Sequence, residues 1–427
     1  MSKKEKLAEF LNSKEFRQMV EQIFKQVPVR IQEQFKPFNE RTKILRVELT
    51  NGDVIALKWI APEEEQRDFS GQYKRSGAGS IELELAYNAL NLPNTQHCYE
   101  VFDLRNKEVY GSAILFLKSY PNNLEDILLD QEKDETEKTN WIKKAIETYY
   151  KFCQELNKRI AVSEKEIEIP YYDKSFLVDD IGKRIIDILT CECFLAQYRD
   201  DTSPLPEHIS FSTLRWIINR LHFTGYLTEK KIKELVEVHD SENIKIHMLP
   251  IPNHFLVEGE EIVLCDLSKI AFGPPELGIA QLLCHPTVLY ALGKENWERL
   301  QEFAKNQYFE IVEEKPAPGF RHVNFMNKFK IYGIYAATRN LSYISSLIKL
   351  YFKHKMTSES SAYFEDLKSF LEESKIYKPV NFIECCIDTL GIIVGGKPKY
   401  EGFFNFIRTH ANNLIALVKE NGNRTDS

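Results

Sequence analysis

An acid that closes an apolar strand is the residue of this chain best placed to do chemistry. From 244 to 280 the sequence runs IKIHMLPIPNHFLVEGEEIVLCDLSKIAFGPPELGIA. Two apolar runs, Phe255–Val257 and Ile262–Cys265, flank a Glu-Gly-Glu-Glu turn and predict a short β-hairpin. Asp266 follows the second run, a position that suits a carboxylate holding Mg²⁺ against nucleotide phosphates. Acids at strand ends also serve as turn or helix caps. Far upstream lies Ile55-Ala56-Leu57-Lys58. Strand alternation puts Val54, Ala56 and Lys58 on one face, a small residue for a flat base and an ammonium for phosphate.

These segments resemble the aminoglycoside phosphotransferase (choline kinase-like) branch of the kinase-like fold. His247-Met248-Leu249-Pro250-Ile251-Pro252-Asn253-His254 is similar to that family's catalytic loop, HGDLHPGN, with His247 on its His and Pro252 on its Pro. Asp266 to Ala280 runs in step with the family's IDFGDAGLGDPAYDLA, matching the metal-binding Asp (Asp266), a Gly (Gly273), a Pro (Pro275) and the closing Ala (Ala280). Ile55–Lys58 fits the third-strand signature V-A-I-K. The resemblance implies a nucleotide site using Ala56, Lys58 and a partner acid from the next helix. Glu82 and Glu84 both open that helix; Glu84, ahead of Ala86, Ala89 and Leu90, fits better, although acids there also suit the helix dipole. It also implies ATP and Mg²⁺ as cofactors, with Asp266 as metal ligand.

The departures carry equal weight. Leu249 stands where the family has its catalytic Asp, and an isobutyl group neither orients nor deprotonates a hydroxyl. His254 replaces the metal-binding Asn, and imidazole suits Mg²⁺ less than oxygen does; neighbouring Asn253 supplies an oxygen if the loop shifts by one residue. His247 reads as a support for the loop. Leu267 and Ser268 replace Phe and Gly, Pro274 a second Asp, and Gly278 the Asp that braces the loop. The phosphate-covering segment 36–43, KPFNERTK, has no glycine, so backbone amides lack the close approach that a missing Cβ allows.

Around these residues the periodicity predicts an α+β, two-lobed kinase-like fold, with a small antiparallel-sheet N-lobe and a larger, mainly helical C-lobe. Residues 13–27 form an amphipathic helix, with Asn12 and Glu15 spaced as a capping box. Lys43–Leu49 and Asp53–Ile60 form a hairpin through Asn51-Gly52. Residues 61–80 read as a polar loop, 81–90 as a helix, Val109–Leu117 as a strand and Leu124–Leu129 as a helical turn. Further helices are expected at 141–156, 181–198, 211–223, 228–238, 293–308, 324–352, 361–373, 380–394 and 401–419. The expected division is 1–30, an N-terminal amphipathic helix; 31–122, the N-lobe; 123–420, the C-lobe carrying the degenerate loops; and 421–427, a tail.

Composition narrows the function classes. With 427 residues, 43% hydrophobic, the chain can bury a sizeable core. A net charge of −7 gives no support for a nucleic-acid binder. No run approaches the roughly 18 apolar residues of a membrane span, and the eight cysteines lack zinc-ligand spacing, so reduced thiols and a cytoplasmic setting are expected. The leading reading is a non-catalytic pseudokinase, a regulatory or scaffold module with residual nucleotide binding and a protein partner. The alternative is an active ATP-dependent phospho- or nucleotidyl-transferase with rearranged acid–base groups, for which survival of Lys58 and Asp266 argues.

Overall fold

The computed structural model describes residues 3–34, 42–60, 83–104, 113–158, 169, 174–199, 244–311, 320–357, 362–374, 376–396 and 398–423. The expected loop at 61–80 lies outside the described residues, as do the glycine-free segment's residues 36–41 and the helices expected at 211–223 and 228–238. The chain divides into two compact units. One comprises 1–124, 147–170 and 244–272; the other comprises 125–146, 171–243 and 273–427.

The first unit is organised by a five-stranded antiparallel sheet built from β1 (Pro28–Gln34), β2 (Thr42–Leu49), β3 (Val54–Ile60), β4 (Cys98–Asp103) and β5 (Ala113–Lys118), in the order β1-β2-β3-β5-β4. β3 is therefore central, hydrogen-bonded to β2 and β5. The hairpin before it forms as expected, but through Thr50-Asn51-Gly52 rather than a two-residue turn: the Leu49 amide donates to the Asp53 carbonyl at 2.8 Å. Gly52 closes it at φ 85°, a conformation a Cβ would oppose.

Alternation along β3 sorts its side chains by face. Ile55, Leu57 and Trp59 join an apolar cluster with α1 (Lys3–Asn12) and α2 (Lys14–Phe24), whose Phe10, Phe16 and Val20 are fully buried. Val54, Ala56 and Lys58 take the other face, where Ala56 packs on a smaller cluster with Cys98 and Leu115. The amphipathic helix expected from 13 is α2, and its cap is Ser13 instead of Asn12. Ser13 is extended, and its hydroxyl accepts from the Phe16 amide at 3.1 Å. Asn12 still belongs to α1, donating to the Ala8 carbonyl at 2.8 Å.

The same unit holds the segment that resembles the catalytic and metal loops. β6 (Asn122–Asn123), β8 (Phe255–Glu258) and β9 (Glu261–Leu264) form a three-stranded sheet, and β7 (Ile244–His247) pairs with β10 (Ile270–Gly273). Here the expected hairpin appears with Glu258 opposite Glu261 and Gly259 at φ 58°.

The second unit is helical: α6 (Lys174–Arg199), α7 (Pro275–Leu283), α8 (Pro286–Ile311, broken at Gly293), α9 (Phe320–Thr357), α10 (Ala362–Glu373), α11 (Pro379–Val394) and α12 (Pro398–Asn423). α4 (Leu124–Leu129) and α5 (Glu135–Lys158) connect the two sets, α3 being the helix at 83–89. Here polar side chains tie helices together: Tyr335 donates to Asp180 and Ser342 to Asp187, each at 2.8 Å. An antiparallel sheet with helices packed on it in one unit, and a helical second unit, bear out the kinase-like fold class.

Candidate functional site

Lys58 leaves the centre of β3 and is 8% exposed. An ammonium so desolvated needs carboxylate partners, and it has two. It ion-pairs with Glu84 of α3 and, at 2.8 Å, with Oδ1 of Asp266. Burial alone would lower the Lys58 pKa; the two acids outweigh it, and the group is held firmly protonated. Asp266 is held well below the usual carboxylate range: burial opposes ionisation, but Lys58, Lys269 and His254 prevail. For Glu84 the balance reverses, and burial raises its pKa despite Lys58.

Position follows from local chain geometry. Leu264, two residues before Asp266, is clamped by the turn after α3: its amide donates to the Asn94 carbonyl, and its carbonyl accepts from the Gln96 amide, both at 2.9 Å. That clamp sets the end of β9 beside the helix that carries Glu84. Asp266 itself adopts the left-handed conformation, φ 61°, ψ 58°, at a cost of roughly 1–2 kcal/mol for an L-residue. Two donors converge on its carbonyl, the Lys269 amide at 3.1 Å and His247 Nε2 at 3.1 Å.

His247 is a brace. Both neighbours of Nε2 are carbonyl oxygens, of Cys265 at 3.0 Å and of Asp266, so that nitrogen carries the proton. Nδ1 then accepts from the Leu249 amide at 3.3 Å. Burial lowers the pKa of His247 to about 4, and the ring stays neutral in that tautomer. Leu249 is 8% exposed, and its carbonyl accepts from His254 Nδ1 at 2.8 Å. His254 Nε2 lies 3.8 Å from Asp266 Oδ2. Asn253, the other candidate oxygen donor, has a buried Oδ1 without a hydrogen-bond partner among the described residues.

The structure thus brings together Lys58, Glu84, Asp266, His247, Leu249 and His254, with Ala56 on the Lys58 face of β3. Glu82 lies outside the described residues. Two further residues complete the network. Asn88, one turn after Glu84, donates to Glu84 Oε2 at 2.7 Å, and its i+4 spacing was the available signal. Ser268 does more. Its amide donates to Glu84 Oε1 at 3.0 Å and its hydroxyl to Asp266 Oδ1 at 2.8 Å. Counted from sequence as the loss of a glycine, it bridges the two acids.

No known protein-family profile matches this chain, and no curated protein does. Solved structures do. It is similar to a spectinomycin phosphotransferase in complex with ADP and spectinomycin, at 10% identity and TM-score 0.44, over 88% of this chain and 97% of that one. A choline/ethanolamine kinase family protein from Mesorhizobium loti is similar at 12% identity and TM-score 0.42, over 93% and 100%. An amicoumacin kinase in complex with AMP-PNP and Ca²⁺ is similar at 8% identity and TM-score 0.45, over 85% and 92%.

Among the described residues no helix is long and apolar enough to cross a membrane. Nor do these residues include a group of three or more His, Cys, Asp or Glu able to hold a metal ion.

Proposed function

We propose that this protein is a non-catalytic, kinase-like module that binds a nucleotide and uses its occupancy to regulate a protein partner. The observation that carries this reading is Leu249. The position that needs a base holds a buried isobutyl group, and its backbone amide and carbonyl are both engaged by histidines. Loss of a positioned acid–base group costs about 10²–10⁴-fold in rate. Charge recognition needs no such group. Lys58 would meet the phosphates, Ala56 leaves room for a flat base, and Glu84 with Ser268 keeps Lys58 and Asp266 in place. A nucleoside triphosphate such as ATP suits this arrangement by its charge.

For Mg²⁺ the fit is partial. Asp266 offers the hard oxygen that such a cation prefers, whereas His254 offers nitrogen. All eight cysteines are free thiols, which supports a reducing compartment such as the cytoplasm.

The test is a melting experiment with ATP, ADP and GTP, each with and without divalent cation. A nucleotide at a hundredfold its Kd stabilises by about 2.7 kcal/mol. Asp266→Ala should remove the metal-dependent part of the shift and leave the fold intact. No shift with any nucleotide at millimolar concentration would overturn nucleotide binding.

The second reading is an active phospho- or nucleotidyl-transferase, and the intact Lys58–Glu84–Asp266 network favours it. Label transfer from radiolabelled ATP to an acceptor by the unmodified protein would decide for that reading.

A further inference from the structure

We infer that the position next to Asp266 is built for a first-row transition cation such as Mn²⁺ or Co²⁺ in preference to Mg²⁺, with His254 Nε2 as a ligand. This rests on the nucleotide-binding reading above and adds the metal's chemical class. A histidine that ligates a metal characteristically donates its other ring N–H to a carboxylate or a backbone carbonyl, which fixes the tautomer and aims the lone pair. His254 has that arrangement. Its Nδ1 faces the Leu249 carbonyl at 2.8 Å, so Nδ1 carries a proton and Nε2 is the ring nitrogen that would bind a cation, releasing any proton it holds. What lies there is Oδ2 of Asp266, 3.8 Å away.

Donors bound to one cation at about 2.1 Å each sit roughly 3.0–3.4 Å apart in octahedral or tetrahedral geometry. The observed separation closes to that with a shift of less than an ångström. Oδ1 of the same carboxylate is occupied by Lys58 and Ser268, each at 2.8 Å, which fixes the plane of the group and turns Oδ2 toward the imidazole. Two protein donors are too few for a closed site. The remaining positions would be filled by phosphate and water oxygens, so metal and nucleotide should bind together. A mixed nitrogen–oxygen donor set suits first-row transition ions, whose affinities rise from Mn²⁺ to Co²⁺, whereas Mg²⁺ demands oxygen.

Leu249 gains a role here. Its side chain supplies no base, but its carbonyl orients the imidazole.

The experiment uses the full chain, AMP-PNP and three cations. Melting shifts should rise in the order Mg²⁺, Mn²⁺, Co²⁺. Pulsed electron paramagnetic resonance of the Mn²⁺–AMP-PNP complex should show coupling to a directly bound imidazole nitrogen. His254→Asn, which returns an amide oxygen to the position, should abolish that coupling and lower the Mn²⁺ over Mg²⁺ preference about 10-fold or more. If AMP-PNP stabilises the protein but the Mn²⁺ spectrum shows no histidine nitrogen, the inference is overturned and the nucleotide site stands. If AMP-PNP gives no shift with any cation, both are overturned.

Discussion

Replacing Glu84 with Leu removes the acceptor of three donors at once: the Lys58 ammonium, the Ser268 amide at 3.0 Å and the Asn88 side-chain amide at 2.7 Å. Breaking a buried ion pair from one side costs about 3–5 kcal/mol, and each buried donor left without an acceptor adds about 1–3 kcal/mol. Two contacts soften the loss. Lys58 keeps Asp266 at 2.8 Å, and Asn88 keeps the Glu84 carbonyl at 2.9 Å. We expect about 4 kcal/mol for Glu84→Leu, a large share of the ~5–15 kcal/mol that holds a domain together. Lys58→Met should cost less, roughly 2–3 kcal/mol, because Glu84 retains two uncharged donors. The double variant removes both charges, leaves Asp266 with the Ser268 hydroxyl and the charge of Lys269, and should cost about 2 kcal/mol, since an apolar pair of similar volume often replaces a buried ion pair at little loss. Urea unfolding of all four proteins, followed by tryptophan fluorescence with buried Trp59 beside Lys58 on β3, gives the coupling energy directly. Additive single costs, with coupling below about 0.5 kcal/mol, would refute the claim that these charges depend on each other. The expected result has a functional edge. A double variant nearly as stable as the parent would show that folding alone does not require the charges, which leaves ligand recognition as the reason they persist.

Two other predictions are independent of that cycle. Glu125 is buried, and burial raises its pKa from 4.5 to about 7 against the hydrogen bonds from Thr287 and Tyr377. Its native pKa lies above the unfolded value, so its contribution to stability is fullest below pH 4.5 and is lost as pH rises through 7. Glu125→Gln should flatten that slope, changing the stability difference between parent and variant by about 3 kcal/mol from pH 4 to 8, read from urea midpoints. Leu249→Asp alone should yield no Mg²⁺-dependent ATP hydrolysis, because the new carboxylate enters a buried position while His254 still withholds an oxygen. Leu249→Asp with His254→Asn should give weak turnover in a phosphate-release assay, and robust turnover by the unmodified chain would overturn the non-catalytic reading.

Legibility differed by the kind of signal. β3 could be read because Ile55, Leu57 and Trp59 alternate with Ala56 and Lys58 and follow a turn signal, and period-two patterning of side-chain type is a strong local signal. The meeting of Lys58 with Asp266, 208 positions apart, was legible only through the resemblance, since no local pattern encodes it. Ser268 was misjudged for a related reason. Its worth lies in a backbone amide that reaches Glu84 from a distant segment, and sequence shows side chains, not amide directions. The Ser13 cap was missed because neighbouring Asn12 is an equally good cap by type. The choice between them was made by α1, which runs through Asn12 and leaves Ser13 as the first extended residue.

The loop around Leu249 is held in shape by groups other than the side chain at 249. In a loop held together by a catalytic carboxylate, exchanging that group for leucine would free the backbone. Here the backbone at 249 is held from both sides by imidazoles: its amide donates to His247 Nδ1 and its carbonyl accepts from His254 Nδ1. His247 in turn donates to the carbonyls of Cys265 and Asp266, and the Cys265 amide donates to the His254 carbonyl at 2.9 Å. The catalytic-type loop and the metal-type loop are therefore joined through ring nitrogens and main-chain groups, none of which belongs to the side chain at 249. On the proposed reading, a leucine at 249 therefore leaves Asp266 and the ammonium it holds in place.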